Sequence, residues 1–294
     1  MVYIKKRPVF TPVVMFTPST DADHLAVKQI HSLQADIRET MDTDRSRQTT
    51  IGLSEIGTDC IRCLCRKLSD IYTKIVDPSW KAQVGTFIHA GLEEHFENKY
   101  GRWETVTMPD GVKASAERAD WDADATDKRP RYHMERRVTI HTYKWLTLGG
   151  SCDLFIEGAT FGLVDDWKTQ GAPKLKKTAN GDIGNTYPTQ MMAYGLGYTL
   201  LGHTVTHVVL YALPRDGELD EAKPVLMRYD PQIVINRLAK IVSLIDSAEA
   251  LEMAFPGEGW ERLIRVQDRA GQCFDCDGYD SQEQASFLTN LVSN

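Results

Sequence analysis

Asp166 and Lys168 stand two residues apart at the end of an apolar run, in "FGLVDDWKTQG" (161–171). On a β-strand, side chains two apart share a face. A carboxylate is a hard oxygen donor suited to Mg²⁺ or Mn²⁺. An ammonium beside it can orient a water or offset charge on a phosphate. Asp165 and Trp167 fall on the opposite face. One aspartate makes a poor metal site, but the preceding "GGSCDLFI" supplies Asp153, which a hairpin would bring next to Asp166. Gly149 and Gly150 there permit close backbone approach.

Two further segments carry paired polar residues at helical spacing. In "GTFIHAGLEEHFE", Gly85, His89 and Glu93 follow one another at i,i+4 on one face, and His89 could be a nitrogen ligand. Glu94 competes with Glu93 for that phase, and His95 reads as an ordinary surface histidine. In "TQMMAYGLG", Gln190 and Tyr194 share a face. Glu135, in "HMERRV", is a further candidate outer carboxylate.

The cysteines form a second chemical set. "CIRCLC" holds Cys60, Cys63 and Cys65, and "CFDC" holds Cys273 and Cys276. Two CxxC pairs can supply four thiolates to one tetrahedral metal or to a cluster, the ligand set of zinc or iron–sulfur. The long gap between the pairs excludes a local zinc ribbon. A shared site would clip the two ends of a domain together and close a long loop. Cys152 alternates with Asp153 and reads as a small core residue.

The elements that must position these residues follow from periodicity. Residues 79–100 predict a helix with Val84, Ile88, Leu92 and Phe96 on one stripe. Strands are expected at 131–141, 144–157 and 160–169, the last two joined by a "GA" turn. A helix at 186–202, a strand at 204–214 and an amphipathic helix at 231–254 complete an α/β core with a mixed sheet. Residues 111–130 and 172–188 read as loops. Ahead of the core, 21–41 has helical spacing and 42–50 is a polar linker. The expected organisation is an arm at 1–48, the main domain at 49–280 and a tail at 281–294.

The 294 residues are 42% hydrophobic and 26% charged, so a sizeable core can form. The formal net charge of -7 excludes a uniformly basic nucleic-acid binder, not a local basic groove. The N-terminal stretch lacks a signal-peptide core, and no run approaches the roughly 18 apolar residues of a membrane span. A cytoplasmic protein is expected, with its cysteines reduced.

Taken in order, GxxxHxxxE (Gly85, His89, Glu93), GxxD (Gly150, Asp153), DxKT (Asp166, Lys168, Thr169) and QxxxY (Gln190, Tyr194) resemble the RecB-like branch of the PD-(D/E)xK nucleases. The resemblance covers about residues 50–280. It implies a restriction-endonuclease-like core, in the order α-β-β-β-α-β, with a mixed central sheet flanked by helices. It further implies that His89, Asp153, Asp166 and the Trp167 carbonyl hold Mg²⁺ or Mn²⁺. Lys168 would position the attacking water, and Gln190 and Tyr194 would support the site or contact DNA.

Cysteines flanking such a core resemble the iron–sulfur nucleases of CRISPR-associated and phage type, which implies a 4Fe-4S cluster. That group places one cysteine upstream and three downstream, whereas this chain has a surplus upstream and two downstream. Zn²⁺ therefore stays open, as does Cys65 in place of Cys63. The set chosen is Cys60, Cys63, Cys273 and Cys276. The implied activity is a metal-dependent DNA exonuclease acting on ends or single strands, in the host cytoplasm if phage-encoded, with a recombination or DNA-processing partner. The alternative is a non-catalytic DNA-binding scaffold with a structural zinc tetrathiolate, and an RNA substrate is a third possibility. Arg62, Arg66, Lys67, Lys74, Lys81 and "PKLKKT" (173–178) are candidate phosphate contacts. The loop expected at 172–188 would grip a strand, and Tyr187 or Trp167 could stack on a base.

Overall fold

The computed structural model describes residues 19–21, 51–69, 80–101, 103–107, 113–117, 130–271, 273, 275 and 276. The expected helix over 21–41, Lys74 and the tail at 281–294 lie outside them, apart from Asp21. The chain divides into two units, Met1–Arg47 with Val76–Gln83, and Gln48–Ile75 with Val84–Asn294. The five-stranded sheet and both clusters of candidate ligands belong to the second.

Its described elements begin with α1 (Ile61–Ser69), α2 (Trp80–Tyr100), which starts in the first unit, β1 (Trp103–Thr107) and β2 (Lys113–Glu117). Then come β3 (Arg131–Tyr143), β4 (Leu146–Glu157), β5 (Gly162–Gln170), α3 (Ala172–Ala179) and α4 (Thr186–Leu200). β6 (His207–Pro214), β7 (Lys223–Arg228), α5 (Pro231–Ala254) and α6 (Gly259–Val266) complete the set. The expected order, helix, three strands, helix, strand, is present as α2, β3, β4, β5, α4, β6.

The sheet runs β3-β4-β5-β6-β7, and β1 pairs with β2 in a separate hairpin. All neighbours are antiparallel except β5 and β6. A parallel pair cannot be closed by a tight turn, and residues 171–206 supply the crossover that carries α3 and α4. β4 and β5 form the expected hairpin, linked by residues 158–161, with Gly158 N–H donating to the Phe161 carbonyl at 2.9 Å.

Strand alternation sorts the apolar residues onto two faces. On one face Phe155, Val164, Val208 and Leu210 pack with Met191, Ala193 and Tyr198 of α4 and with Val234, Ile241 and Ile245 of α5. On the other, Leu154, Trp167 and Leu213 pack with Ile88, Leu92 and Phe96 of α2. The expected α2 stripe therefore faces the sheet, although no residue of that helix is fully buried.

Six short elements depart from expectation. Residues 172–179, read as loop, form α3: Pro173 opens the helix, Gly181 (φ 81) follows its end, and Leu175 and Thr178 are buried. Residues 113–117, also read as loop, pair with β1. α1, β1, α6 and the edge strand β7 had no expectation assigned. Among the described residues no helix is long and apolar enough to cross a membrane.

The core has a centre at Phe155, whose ring stacks on Tyr198 at 4.0 Å between centroids, both fully buried. Phe155→Ala should lose about 3–5 kcal/mol of unfolding free energy. Leu226→Ala, on the exposed face of β7, should stay within about 0.5 kcal/mol of the parent. Denaturant unfolding of both variants checks this.

Candidate active site

β4 pairs with β5 only from Leu154↔Asp165 to Glu157↔Gly162. Beyond Leu154 the strands part, and the Trp167 N–H donates to Asp153 Oδ2 at 2.7 Å. In a strand the N–H and C=O of one residue point to the same side. The Trp167 carbonyl therefore faces the same gap, where it accepts from Lys168 Nζ at 3.2 Å.

β4, which borders the gap, and its outer neighbour β3 change face at one register position. In β4, Leu154 and Ile156 lie on the α2 side, yet Cys152 and Leu148 lie on the α4 side. In β3, Tyr132 and Met134 lie on the α2 side, yet Val138 and Ile140 lie on the α4 side. The register is unbroken across the switch, with Met134↔Leu154 and Arg136↔Cys152. The residues at the switch are Glu135 and Asp153. Glu135 has φ 45, a conformation that non-glycine residues rarely adopt. His89, Glu135 and Asp153 bring one ligand atom each within 4.8 Å of one another.

The motif glycines act as contact points. A Cβ on Gly85 would stand 2.9 Å from Thr169 Oγ1, so the glycine lets α2 approach β5. One turn later His89 Nδ1 lies 3.4 Å from Asp153 Oδ1, its ring edge-on to the Trp167 indole at 6.0 Å. A Cβ on Gly150 would meet Tyr194 at 3.4 Å.

Asp166 is buried, with 1% of its surface exposed. Its Oδ1 accepts from Gln190 Nε2 at 3.0 Å, and Gln190 Nε2 also donates to Tyr194 Oη at 3.1 Å. Its Oδ2 lies 2.6 Å from Lys168 Nζ. Burial pushes the Asp166 carboxyl up to about 6, with the Lys168 charge opposing and the Asp153 charge adding. Burial works against the Lys168 ammonium, but Asp166 and Asp153 outweigh it and hold its pKa above the usual lysine range. Lys168 is therefore a cation and proton donor near neutral pH, not a base. The hydrogen bond to Asp153 holds the His89 pKa above its ordinary value against burial.

The structure thus brings His89, Asp153, Asp166, the Trp167 carbonyl, Lys168, Gln190 and Tyr194 into one connected network. Glu135 joins His89 and Asp153, a place the helical spacing gave to Glu93. Gln190 and Tyr194 are buried, so both support the site from within instead of facing a ligand. The Trp167 indole is 3% exposed, too covered to stack on a base. Arg66 is fully buried and Lys67 pairs with Glu55 at 2.6 Å, which removes both from the candidate phosphate contacts. On α3, Lys176 and Lys177 are exposed, and Lys174 Nζ lies 5.5 Å from the Tyr187 ring centroid.

The second cluster is separate. The Sγ atoms of Cys60, Cys63, Cys273 and Cys276 all lie within 4.8 Å of one another. Cys60 caps α1, its carbonyl accepting from Leu64 N–H at 3.0 Å, and Cys63 lies three residues on along the same side. Cys65 turns into the main core, as does Cys152, so neither joins the quartet.

Asp165 lies outside both ligand sets. The Trp167 indole N–H donates to its Oδ2 at 3.3 Å, while the buried Oδ1 has no hydrogen-bond partner among the described residues. Burial pushes its pKa from 3.8 up to about 7. Between those values the folded state holds a proton that the unfolded state has lost, so native stability falls as pH rises through this window and levels off above it. Asp165→Asn keeps an acceptor for the indole and removes the charge. Its denaturant midpoint should match the parent near pH 4, exceed it increasingly up to about pH 7, and keep a constant lead above. Parallel curves would contradict this account of Asp165.

No family model matches the chain, and no curated protein matches it. Among solved structures, it is similar to an alkaline exonuclease (LHK-Exo) from Laribacter hongkongensis at 12% identity and a TM-score of 0.44, covering 77% of this chain and 99% of that one. The same enzyme in complex with dAMP gives 13%, 0.43, 74% and 96%. SSO0001 gives 12%, 0.43, 74% and 88%. At this distance these likenesses assign the chain neither a family nor an activity.

Proposed function

We propose that this protein is a metal-dependent nuclease that hydrolyses phosphodiester bonds, with DNA ends or single strands as substrate. The observation that carries the reading is the gap between β4 and β5, where an imidazole, carboxylates, a backbone carbonyl and an ammonium meet. The donors are hard oxygens and one imidazole, suited to Mg²⁺ or Mn²⁺. The buried Asp166, raised by desolvation, is the kind of carboxylate that a cation stabilises.

His89, Glu135, Asp153, Asp166 and the Trp167 carbonyl would hold the ion. Such an ion supplies Lewis acidity, lowering the pKa of water and offsetting charge on the scissile phosphate. The rest is the chain's own work. Gln190 fixes Asp166 through Oδ1 and leaves Oδ2 to the ammonium. Lys168, held as a cation, orients the attacking water and faces the negative charge that develops on the phosphoryl oxygens. Trp167 N–H fixes Asp153, and the packed indole holds its own carbonyl toward the gap. The strained Glu135 backbone turns a third carboxylate inward, which fits strain stored at a working site. Lys174, Lys176 and Lys177, on the helix that follows Lys168 in sequence, offer phosphate contacts to a bound strand.

Labelled single-stranded and duplex DNA, with RNA in parallel, should be cut with Mg²⁺ or Mn²⁺ and left intact with EDTA. Asp166→Ala and Lys168→Ala should each lose at least about 100-fold in rate. Glu135→Gln should weaken Mn²⁺ binding, measured by calorimetry without DNA, about as much as Asp153→Asn. Cleavage that survives both alanine variants would end the assignment of activity to this site, and DNA binding with no metal-dependent cleavage would end the enzyme reading and leave a scaffold in its place.

A further inference from the structure

The cysteine quartet has a geometry of its own, independent of the nuclease reading. Cys63 Sγ lies 3.2 Å from Cys276 Sγ and 3.6 Å from Cys273 Sγ, and Cys60 Sγ lies 3.6 Å from Cys276 Sγ. All six separations fall within 4.8 Å, and the cysteines are free thiols. A tetrahedron of sulfurs around one ion at a Zn–S distance of 2.3 Å has edges of about 3.8 Å. In a 4Fe-4S cube each thiolate binds a different iron, so the four sulfurs stand outside the cube and well apart. The quartet is packed too closely to enclose one.

We infer that Cys60, Cys63, Cys273 and Cys276 bind a single tetrahedral thiolate-seeking ion, of the zinc class, and not the 4Fe-4S cluster that the nuclease resemblance implies. The four sulfurs form a small cluster apart from the main core: Cys60, Cys63 and Cys276 are buried together with Cys273 packed against them. A closed set of four protein ligands, with no position left for substrate, is the arrangement of a structural ion. The ion joins the N-terminus of α1 to the segment after α6, across a sequence separation of 216 from Cys60 to Cys276. Its role is to fasten the beginning of the domain to its end.

The test uses the full chain, expressed with both iron and zinc supplied and purified without oxygen. Metal analysis should give about one zinc per chain, no acid-labile sulfide and no visible colour. Exchange with Co²⁺ should produce the ligand-field bands of a tetrahedral cobalt thiolate. Cys273→Ser should lose the zinc, whereas Cys65→Ser should keep it. Should either variant fail to fold, an organomercurial titration of the wild type serves instead, and zinc should be released as four thiols react. Iron with stoichiometric sulfide and a broad visible absorption would overturn the inference, as would protein that carries no metal. Asp166→Ala should hold the same zinc as the parent, so a negative cleavage assay leaves this result unaffected.

Discussion

A β-ladder uses the N–H and C=O of one residue on one edge, so a strand that leaves its neighbour exposes a donor and an acceptor together. Here β4 pairs with β5 only from Leu154 onward, so β5 loses that neighbour past Asp165, and the exposed pair belongs to Trp167. Left alone in a protein interior, those groups would each cost a lost hydrogen bond. Asp153 takes the N–H and the Lys168 ammonium takes the C=O. Each of these side chains is thereby fixed beside the gap. The break in the sheet and the assembly of the site are one structural event.

That arrangement concentrates negative charge. Asp153, Asp165, Asp166 and Glu135 lie on three adjacent strands, with the Lys168 ammonium against Asp166 and the His89 imidazole against Asp153. Burial raises both Asp165 and Asp166, so the fold holds these groups at a cost. A sequence selected for stability alone would place apolar residues here, as it does at Val164 and Leu154 on the same strands. These retained carboxylates are the feature on which the metal-dependent reading rests. Phe96 and Trp167 stack at 5.5 Å on the α2 side and pack the indole whose backbone serves the gap.

Periodicity made the long elements legible. The helix at 231–254 falls where its apolar pattern placed it, and the three central strands begin and end within a few residues of expectation. Asp166 with Lys168, and Gln190 with Tyr194, were readable because each pair sits on an unbroken element whose period holds. Glu135 is legible only as a further candidate carboxylate, because its closeness to His89 and Asp153 depends on a change of face that alternation cannot foresee. Cys65 was left open for the opposite reason. Had 61–69 been read as a helix, Cys60 and Cys63 would have fallen on one side and Cys65 on another. Helices as short as α3 carry too few turns for a period to show, and the lysines of "PKLKKT" suggested solvent where Leu175 and Thr178 mark a buried face.

The two clusters answer different physical needs. The carboxylate site sits inside a sheet whose strands are neighbours in sequence or are joined by one crossover, so folding of the central unit alone can assemble it. The cysteine quartet unites segments that no strand pairing connects. Arg237 adds to the same end of the domain, donating from α5 to the Ile56 and Thr58 carbonyls just ahead of Cys60. Gly57 packs against Thr186 and Thr189 of α4, with no room for a side chain. The segment before α1 is thus tied to the helix that carries Gln190 and Tyr194. An ion that fixes Cys60 and Cys63 would act on the carboxylate network through that packing, by holding α4 against β5, while contacting none of its residues.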